Sequence, residues 1–195
     1  MKLTVAITGA SGAVFAQQLL ATLEQDARVA HVDLVVSDNA LRVLAEELEL
    51  GGRQELVTRL LGAGSAKIEQ LGESDIGASI ASGSYDSAGM IVLPCSMGTL
   101  AGIANGLAQT LTGRAADVCL KERRPLILCV RETPLNKIHL RNMMACADAG
   151  ATIFPVIPSF YNHPVDSTEM ARQFAYRVLT HLGLPQGGMY RWKAD

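Results

Sequence analysis

Short apolar runs alternate with helical segments along almost the whole chain, and this alternation restricts the fold more than any other feature. Runs of strand length occupy residues 3–8, 32–36, 90–93, 126–130 and 152–154. Strands that alternate with helices form parallel sheets covered by helices on both faces. The pattern therefore predicts an α/β fold, with residues 1–195 forming one single-domain, doubly wound, Rossmann-like parallel sheet.

The composition agrees with this fold and narrows the functional classes. The chain is 49% hydrophobic but only 5% aromatic, which suits aliphatic strands buried on both faces. A length of 195 residues is enough for one domain with a large core. The net charge of -2 and the absence of a basic stripe argue against nucleic acid as a partner.

The cysteines and histidines indicate no metal site. The four cysteines, at positions 95, 119, 129 and 146, contain no CxxC pair and suit a reducing compartment. The four histidines have no zinc-ligand spacing. The chain enters a strand without a signal sequence, and no apolar run reaches about 18 residues. We expect a cytoplasmic protein that needs no metal and no membrane.

The first strand leads directly into a glycine-containing turn, Gly9-Ala10-Ser11-Gly12. Glycine permits a tight turn, and free amides at the start of the next helix can bind a phosphate. The turn lacks the third glycine of the dinucleotide fingerprint, which favours a mononucleotide such as FMN over NAD. A structural turn with a capping serine is the alternative. A hydrolase elbow is disfavoured because Ala13 stands where that motif needs glycine.

Further hydroxyl-bearing loops follow other strands. Pro94-Cys95-Ser96-Met97-Gly98-Thr99 follows the strand at 90–93, and Ser37 follows the strand at 32–36. Loops of this kind can hold a phosphate or the polar edge of a flavin. Each serine can also be a simple helix cap. Because several such loops share one edge of the predicted sheet, that edge is the predicted binding site.

Charged residues surround the fourth apolar strand. Arg114 and Lys121 lie seven residues apart, which places them on one face if residues 115–122 are helical. Arg131 and Glu132 emerge at the carboxyl end of the strand at 126–130. This pattern suggests an anion site with a proton donor. A solvated helix end with a surface ion pair is the alternative.

Five sequence segments resemble the UbiX flavin prenyltransferase family. They are TGASGAVF, ASGSYDSAGMIVLPCSMGTLAGIANG, RAADVCLKERRPLILCVRETPL, HLRNM and FYNHP, and the resemblance runs from Thr8 to about Leu184. It implies transfer of a dimethylallyl group from dimethylallyl phosphate to N5 of reduced FMN, followed by ring closure at C6. The product, prenylated FMN, would serve a partner UbiD-type decarboxylase.

The resemblance also implies roles for particular residues. The implied FMN-binding residues are Gly9, Ala10, Ser11, Ser37, Ser96, Met97, Gly98, Thr99 and Arg131. The implied prenyl phosphate ligands are Tyr161, Arg177, Arg114 and Lys121. Glu132 would be the acid–base residue, and Ser11, Lys121 and Arg114 would join it in catalysis. With these cations present, the reaction needs no metal.

The resemblance further implies a homo-oligomer, with a dodecamer as the family precedent. Apolar segments at residues 100–107 and 143–147 agree with buried contacts between subunits. Two alternatives remain open. One is a flavin-dependent cysteine decarboxylase, which uses an early histidine, and here only His31 is early. The other is a non-catalytic FMN-binding accessory subunit of a decarboxylase.

Overall fold

Six parallel strands form one sheet in the computed structural model, which describes residues 1–192. The strands are β1 (Lys2–Ile7), β2 (His31–Val36), β3 (Ile68–Leu71), β4 (Met90–Cys95), β5 (Leu126–Val130) and β6 (Thr152–Ile153). The helices are α1 (Ala13–Gln25), α2 (Asp38–Leu48), α3 (Leu56–Leu61), α4 (Met97–Ala104), α5 (Leu111–Lys121), α6 (Lys137–Asp148) and α7 (Ser167–His181). A short 3-10 helix covers Ser79–Ala81.

The strand order is β3-β2-β1-β4-β5-β6, and every neighbouring pair is parallel. The chain moves outward from β1 to β3, then crosses back to β4 beside β1 and continues to the other edge. Ligands of doubly wound sheets bind at such a reversal point, beyond the carboxyl ends of the strands. The topology therefore places the expected site between β1 and β4.

Two apolar layers cover the sheet, one on each face. On one face, α1, α2, α3 and α7 pack against side chains such as Val5 and Leu34. On the other face, α4, α5 and α6 pack against side chains such as Val92 and Leu128. The strands are buried almost completely because both faces are covered, which explains their continuous aliphatic runs.

The predicted doubly wound α/β fold is confirmed, with local corrections. The sequence placed no strand in the Gly- and Ser-rich region 62–83, yet β3 (Ile68–Leu71) pairs with β2 there. The helix considered for residues 115–122 begins earlier, at Leu111, because Thr110 caps α5. The prediction of one domain over residues 1–195 extends past the described residues 1–192.

The predicted apolar helix surfaces are only partly exposed. Leu100 and Cys146 are buried in the core, whereas Leu107 and Met144 are exposed. Further apolar side chains are exposed along and before α6, namely Leu135, Ile138 and Leu140. This surface is where a neighbouring subunit can bury apolar area. Within residues 1–192, no helix is both long enough and apolar enough to cross a membrane.

Candidate active site

A cavity of about 480 Å³ adjoins the carboxyl ends of the central strands. It lies where the topology reverses, between the loops that follow β1, β2 and β4. Five predicted FMN-binding residues line it, namely Gly9, Ser37, Ser96, Gly98 and Thr99. The other four, Ala10, Ser11, Met97 and Arg131, do not line it. Ala10 is buried, Met97 is the first residue of α4 and packs against the core, and Arg131 lines a different cavity.

Three helix N-termini converge on this cavity, because the residues at the starts of α2, α4 and α5 line its wall. Each helix has a hydroxyl cap: Ser37 accepts from Ala40 N–H, Ser96 from Thr99 N–H and Thr110 from Gly113 N–H. Ser37 and Ser96 therefore do act as helix caps, as the alternative interpretation predicted. It does not exclude binding, because a helix N-terminus leaves further first-turn amides without intrahelical partners. Such termini attract anions.

The loop after β4 is held in position by Thr8. The Thr8 hydroxyl donates to the Pro94 carbonyl at 2.8 Å and accepts from Ser96 N–H at 2.8 Å. This bridge fixes the end of β4 to the end of β1. The backbone of Gly9 also approaches α2 closely, since a Cβ at position 9 would lie 2.4 Å from Asn39 Cβ. Glycine is therefore required there for packing.

The start of α1 differs from the sequence prediction. The turn at residues 9–12 was expected to offer free amides to a phosphate. Instead, a carboxylate from α2 occupies them: Glu47 accepts from Gly12 N–H at 3.0 Å and from Ala13 N–H at 2.7 Å. The anion at the α1 N-terminus is therefore part of the protein, whereas the N-termini of α2, α4 and α5 line the cavity.

Glu47 also links two predicted site residues. Burial alone would raise the pKa of its carboxyl, but the Ser11 hydroxyl, the Ala13 and Gly12 amides and the charge of Arg131 together hold that pKa below its usual value. Ser11, Glu47 and Arg131 therefore form one polar group. Sequence analysis missed Glu47, because nothing in the helical pattern of α2 distinguishes it from Glu46.

Arg131 and Glu132 line a second, more apolar cavity of about 340 Å³ beyond β5. Its other walls include Val130, Met143 and Ile157. The predicted emergence of Arg131 and Glu132 at the end of β5 is confirmed. The Glu132 carboxylate is exposed and accepts a hydrogen bond from Thr133 N–H at 3.0 Å. It is thus free to face a ligand on its other side.

The predicted prenyl phosphate ligands do not share this location within one chain. Arg177 lines a separate cavity of about 220 Å³ with Asn162, whose side-chain amide atoms are buried and have no hydrogen-bond partner among the described residues. Two carboxylates near the start of α7 have other contacts: Asp166 caps α7, and Glu169 lies 4.0 Å from Arg172. Tyr161 packs edge-on against Trp192 at a centroid distance of 4.6 Å.

Arg114 and Lys121 lie on α5 beside the segment that precedes β4. Arg114 donates to the Ala81 carbonyl at 3.0 Å and pairs with Asp117 at 2.7 Å. Lys121 pairs with Glu122, and its Nζ would lie 2.6 Å from a Cβ at Gly83. The prediction that these two cations belong to one helix is confirmed. Neither lines the cavities of the same chain described above.

Glu73 is a second cavity residue that sequence analysis did not select. It follows β3, the strand that was also missed, and lines the main cavity near Asp38. Burial raises the pKa of its carboxyl above the usual value, and the charge of Asp38 adds to that effect. The Asp38 N–H, the Arg53 charge and the Thr112 hydroxyl act in the opposite direction without cancelling it.

The early histidine lies away from this edge of the sheet. His31 begins β2, whereas the cavity adjoins the carboxyl ends of the strands. Its ring contacts Asp33 at 3.3 Å. This position does not suit the catalytic histidine of a cysteine decarboxylase. Within residues 1–192, no group of three or more His, Cys, Asp or Glu residues is arranged to hold a metal ion.

Comparison with known proteins agrees with this geometry. Residues 1–173 match the Flavoprotein family. The flavin prenyltransferase UbiX of Pseudomonas aeruginosa is 40% identical over 197 aligned positions, which cover 98% of this chain and 93% of the relative. The chain belongs to the UbiX flavin prenyltransferase family.

Solved structures of UbiX proteins extend the comparison. AnUbiX (PadA1), in complex with FMN and dimethylallyl pyrophosphate, superposes with a TM-score of 0.87 at 38% identity and covers 100% of this chain and 98% of its own. The dodecameric FMN-dependent UbiX-like decarboxylase of Escherichia coli O157:H7 also has a TM-score of 0.87, at 42% identity, with 100% of both chains covered. This chain therefore has the same fold as these UbiX structures.

Proposed function

We propose that this protein is a flavin prenyltransferase that transfers a dimethylallyl group from dimethylallyl phosphate to reduced FMN. The bond forms first at the flavin N5 and the ring then closes at C6, which gives prenylated FMN for a UbiD-type decarboxylase. The observation that carries the proposal is the cavity at the β1–β4 reversal, which the N-termini of α2, α4 and α5 line. Family membership supplies the reaction type.

The FMN phosphate belongs at the α2 and α4 N-termini. Those termini carry Ser37, Ser96 and Thr99, and their first-turn amides point an electropositive end at the cavity. The α1 terminus is closed to a phosphate by Glu47. The flavin ring then extends toward Arg131. A cavity of about 480 Å³ is in the usual range for a cofactor site.

The protein's own residues have distinct tasks in the reaction. Reduced FMN supplies the nucleophilic N5 and the ring carbon C6. Arginine and lysine side chains bind the leaving phosphate and stabilise its negative charge in a site that excludes water. Glu132 lies at the end of β5 beside the apolar cavity. Its carboxylate assists phosphate departure as a proton carrier. On ring closure the double bond of the dimethylallyl group breaks as one of its carbons takes a proton and the other bonds to C6, and Glu132 accepts the proton that C6 loses.

Neighbouring subunits complete the site. Tyr161, Arg177, Arg114 and Lys121 are the proposed prenyl phosphate ligands. Within one chain, Arg177 lines a cavity that shares Ile157 with the Glu132 cavity, whereas Arg114 and Lys121 lie on α5 and line neither. An oligomer in which α5 and α7 of neighbours face the flavin cavity would bring them together. The exposed apolar side chains of α6 and the dodecameric E. coli relative support such an assembly. We place the enzyme in the cytoplasm, where its four buried cysteines remain thiols.

Activation of a partner enzyme tests the proposal. The protein is incubated anaerobically with reduced FMN and dimethylallyl phosphate, and the protein-free filtrate is added to an apo UbiD-type decarboxylase. We expect decarboxylation only when all components were present. There are two control filtrates. One is made without dimethylallyl phosphate, and the other comes from a reaction of the Glu132→Gln variant that is stopped early. A complete filtrate that leaves the decarboxylase inactive contradicts the proposed function.

A further inference from the structure

One stretch of backbone, the 81–85 segment, contacts both cations that α5 contributes to the proposed prenyl phosphate site. Arg114 donates from Nε to the Ala81 carbonyl at 3.0 Å. Lys121 lies against the same segment two residues later, since its Nζ would be 2.6 Å from a Cβ at Gly83. The positions of both cations therefore depend on where this segment lies.

Arg124 binds the 81–85 segment to the end of α5. Its two terminal nitrogens, Nη1 and Nη2, donate to the carbonyls of Tyr85 and Gly83, each at 2.7 Å. Its own N–H donates to the Cys119 carbonyl at 2.8 Å, which fixes the residue on the last turn of α5. The guanidinium is partly buried, and hydrogen bonds from a charged donor are stronger than neutral ones. Arg124 is thus a two-point link between α5 and the segment.

Tyr85 ties the other side of the segment to the sheet. Its hydroxyl donates to the carboxylate of Asp33 at 2.9 Å, and Asp33 lies on β2 with only 2% of its surface exposed. Burial raises the pKa of Tyr85 to about 12, and the hydrogen bond and charge of Asp33 add to that effect. The hydroxyl therefore keeps its proton near neutral pH and remains a donor. Two anchors, Arg124 and Tyr85, hold the segment between α5 and β2.

Gly83 shows how closely Lys121 rests on the anchored backbone. A Cβ at position 83 would overlap Oε1 of Glu122, the carboxylate that pairs with Lys121, so only glycine leaves room for the pair. The carbonyl of the same residue accepts one of the two hydrogen bonds from Arg124. A shift of that carbonyl would therefore move the surface that supports Lys121.

We propose that Arg124 is a positioning residue of the prenyl phosphate site: it fixes the 81–85 segment, and the segment holds Arg114 and Lys121 in the orientation that binds the phosphate. The inference rests on the proposed function, because it takes Arg114 and Lys121 as ligands of the prenyl phosphate. Cations that are already held in place lose less conformational freedom when the ligand binds. The planar fork of arginine reaches two carbonyls at once, whereas lysine would supply the same charge from a single nitrogen.

Kinetics of the Arg124→Lys variant test the inference, with Arg123→Lys as the matched control. The first substitution keeps the charge but removes the two-point link. Arg123 is adjacent and exposed, and its side chain makes no hydrogen bond or ion pair with the described residues. The measurements are kcat and KM for dimethylallyl phosphate, the inhibition constant of inorganic phosphate as a competitor, and the FMN dissociation constant. Thermal melts and light scattering check folding and assembly.

We expect Arg124→Lys to raise both the KM and the inhibition constant about tenfold, the effect of one lost charge-assisted hydrogen bond, with the FMN dissociation constant unchanged. Arg123→Lys should change none of these quantities. Tyr85→Phe removes the other anchor and should act in the same direction. If Arg124→Lys does not fold, Tyr85→Phe decides the matter by the same criteria.

Unchanged KM and inhibition constant in folded Arg124→Lys overturn the inference. A lower kcat alone also overturns it, because loss of folded protein has that effect without altering substrate binding. So does a rise in the FMN dissociation constant as large as the rise in KM. These results leave the proposed function standing. An unaltered protein that binds FMN but transfers no prenyl group contradicts the proposed function, and the inference with it.

Discussion

Glu47 accepts a hydrogen bond from Ala13 N–H at 2.7 Å, so the carboxylate of α2 lies on the N-terminus of α1. The contact joins two helices on the same face of the sheet and neutralises amides that would otherwise lack partners. Because the α1 terminus is occupied, our proposal assigns the phosphate of FMN to the neighbouring helix N-termini that line the main cavity.

Removal of the Glu47 carboxylate should destabilise the fold in a pH-dependent way. We expect Glu47→Ala to lower the free energy of unfolding by about 1 kcal/mol near pH 7, as for loss of a helix cap. The pKa of Glu47 is lowered in the folded state. Its contribution is therefore complete above the ordinary glutamate pKa of about 4.3 and is lost as pH falls through the lower folded value.

Urea unfolding between acid and neutral pH measures this effect, with Glu46→Ala as the control from the same helix. Glu46 is exposed, and its substitution should cost little at any pH. The two variants should converge in stability in strong acid. A Glu47→Ala deficit that persists unchanged there would show that the cost comes from packing and not from the charge.

The sequence predicted the fold well because burial of the sheet leaves a local signature. The runs at 90–93 and 126–130 are continuous and aliphatic, as strands covered on both faces must be, and they became β4 and β5. β3 was not predicted, because it is a short edge strand and its residues Glu69 and Gln70 interrupt the apolar run. Its place in the sheet comes from pairing with β2, which is a tertiary contact.

The candidate site was predicted in part, because the sequence shows where the buried strands end. Ser37 and Ser96 sit at strand ends, so their meeting at one edge follows from the topology. Glu47 and Glu73 could not be selected, because their roles come from packing of α2 on α1 and of the β3 loop on α5. The sequence also could not show that Arg177 and Lys121 lie apart within one chain. Motif spacing does not tell which subunit's site a side chain enters.

Glu132→Gln should slow prenyl transfer while FMN binding remains. Glutamine keeps the size of the side chain and its contact with Thr133 N–H but cannot exchange a proton. Loss of general acid–base catalysis commonly lowers a rate by about 10²–10⁴-fold. Single-turnover mixing of reduced FMN and dimethylallyl phosphate measures the step, with Glu46→Gln as the control. An unchanged rate would assign Glu132 to structure alone.

Arg177→Ala should weaken binding of dimethylallyl phosphate and spare FMN. Arg177 and the buried Phe174 line one cavity, which is separate from the cavity that holds the FMN phosphate in our proposal. We expect a higher KM for dimethylallyl phosphate with little change in the FMN dissociation constant. Arg172→Ala, on the same helix with a half-exposed side chain, is the control. A collapse of FMN affinity with unchanged KM would place Arg177 at the flavin instead.

Mixed oligomers can show whether one site uses two chains. Lys121→Ala and Glu132→Gln should each be nearly inactive alone. Co-expressed in equal amounts, they should recover roughly a quarter of the activity, the statistical share of sites that receive both intact residues from different chains. The measurement is specific activity of the purified mixed oligomer, whose size is checked by light scattering. No recovery would mean that Lys121 and Glu132 act within one chain.

The mass of the flavin product tests the central claim most directly. The purified protein is mixed anaerobically with reduced FMN and dimethylallyl phosphate, and the released flavin is weighed by mass spectrometry. The account predicts a flavin heavier than FMN by one dimethylallyl-derived unit, formed only with the donor and slowly by Glu132→Gln. Recovery of unmodified FMN alone, from a protein shown to bind it, would contradict the account.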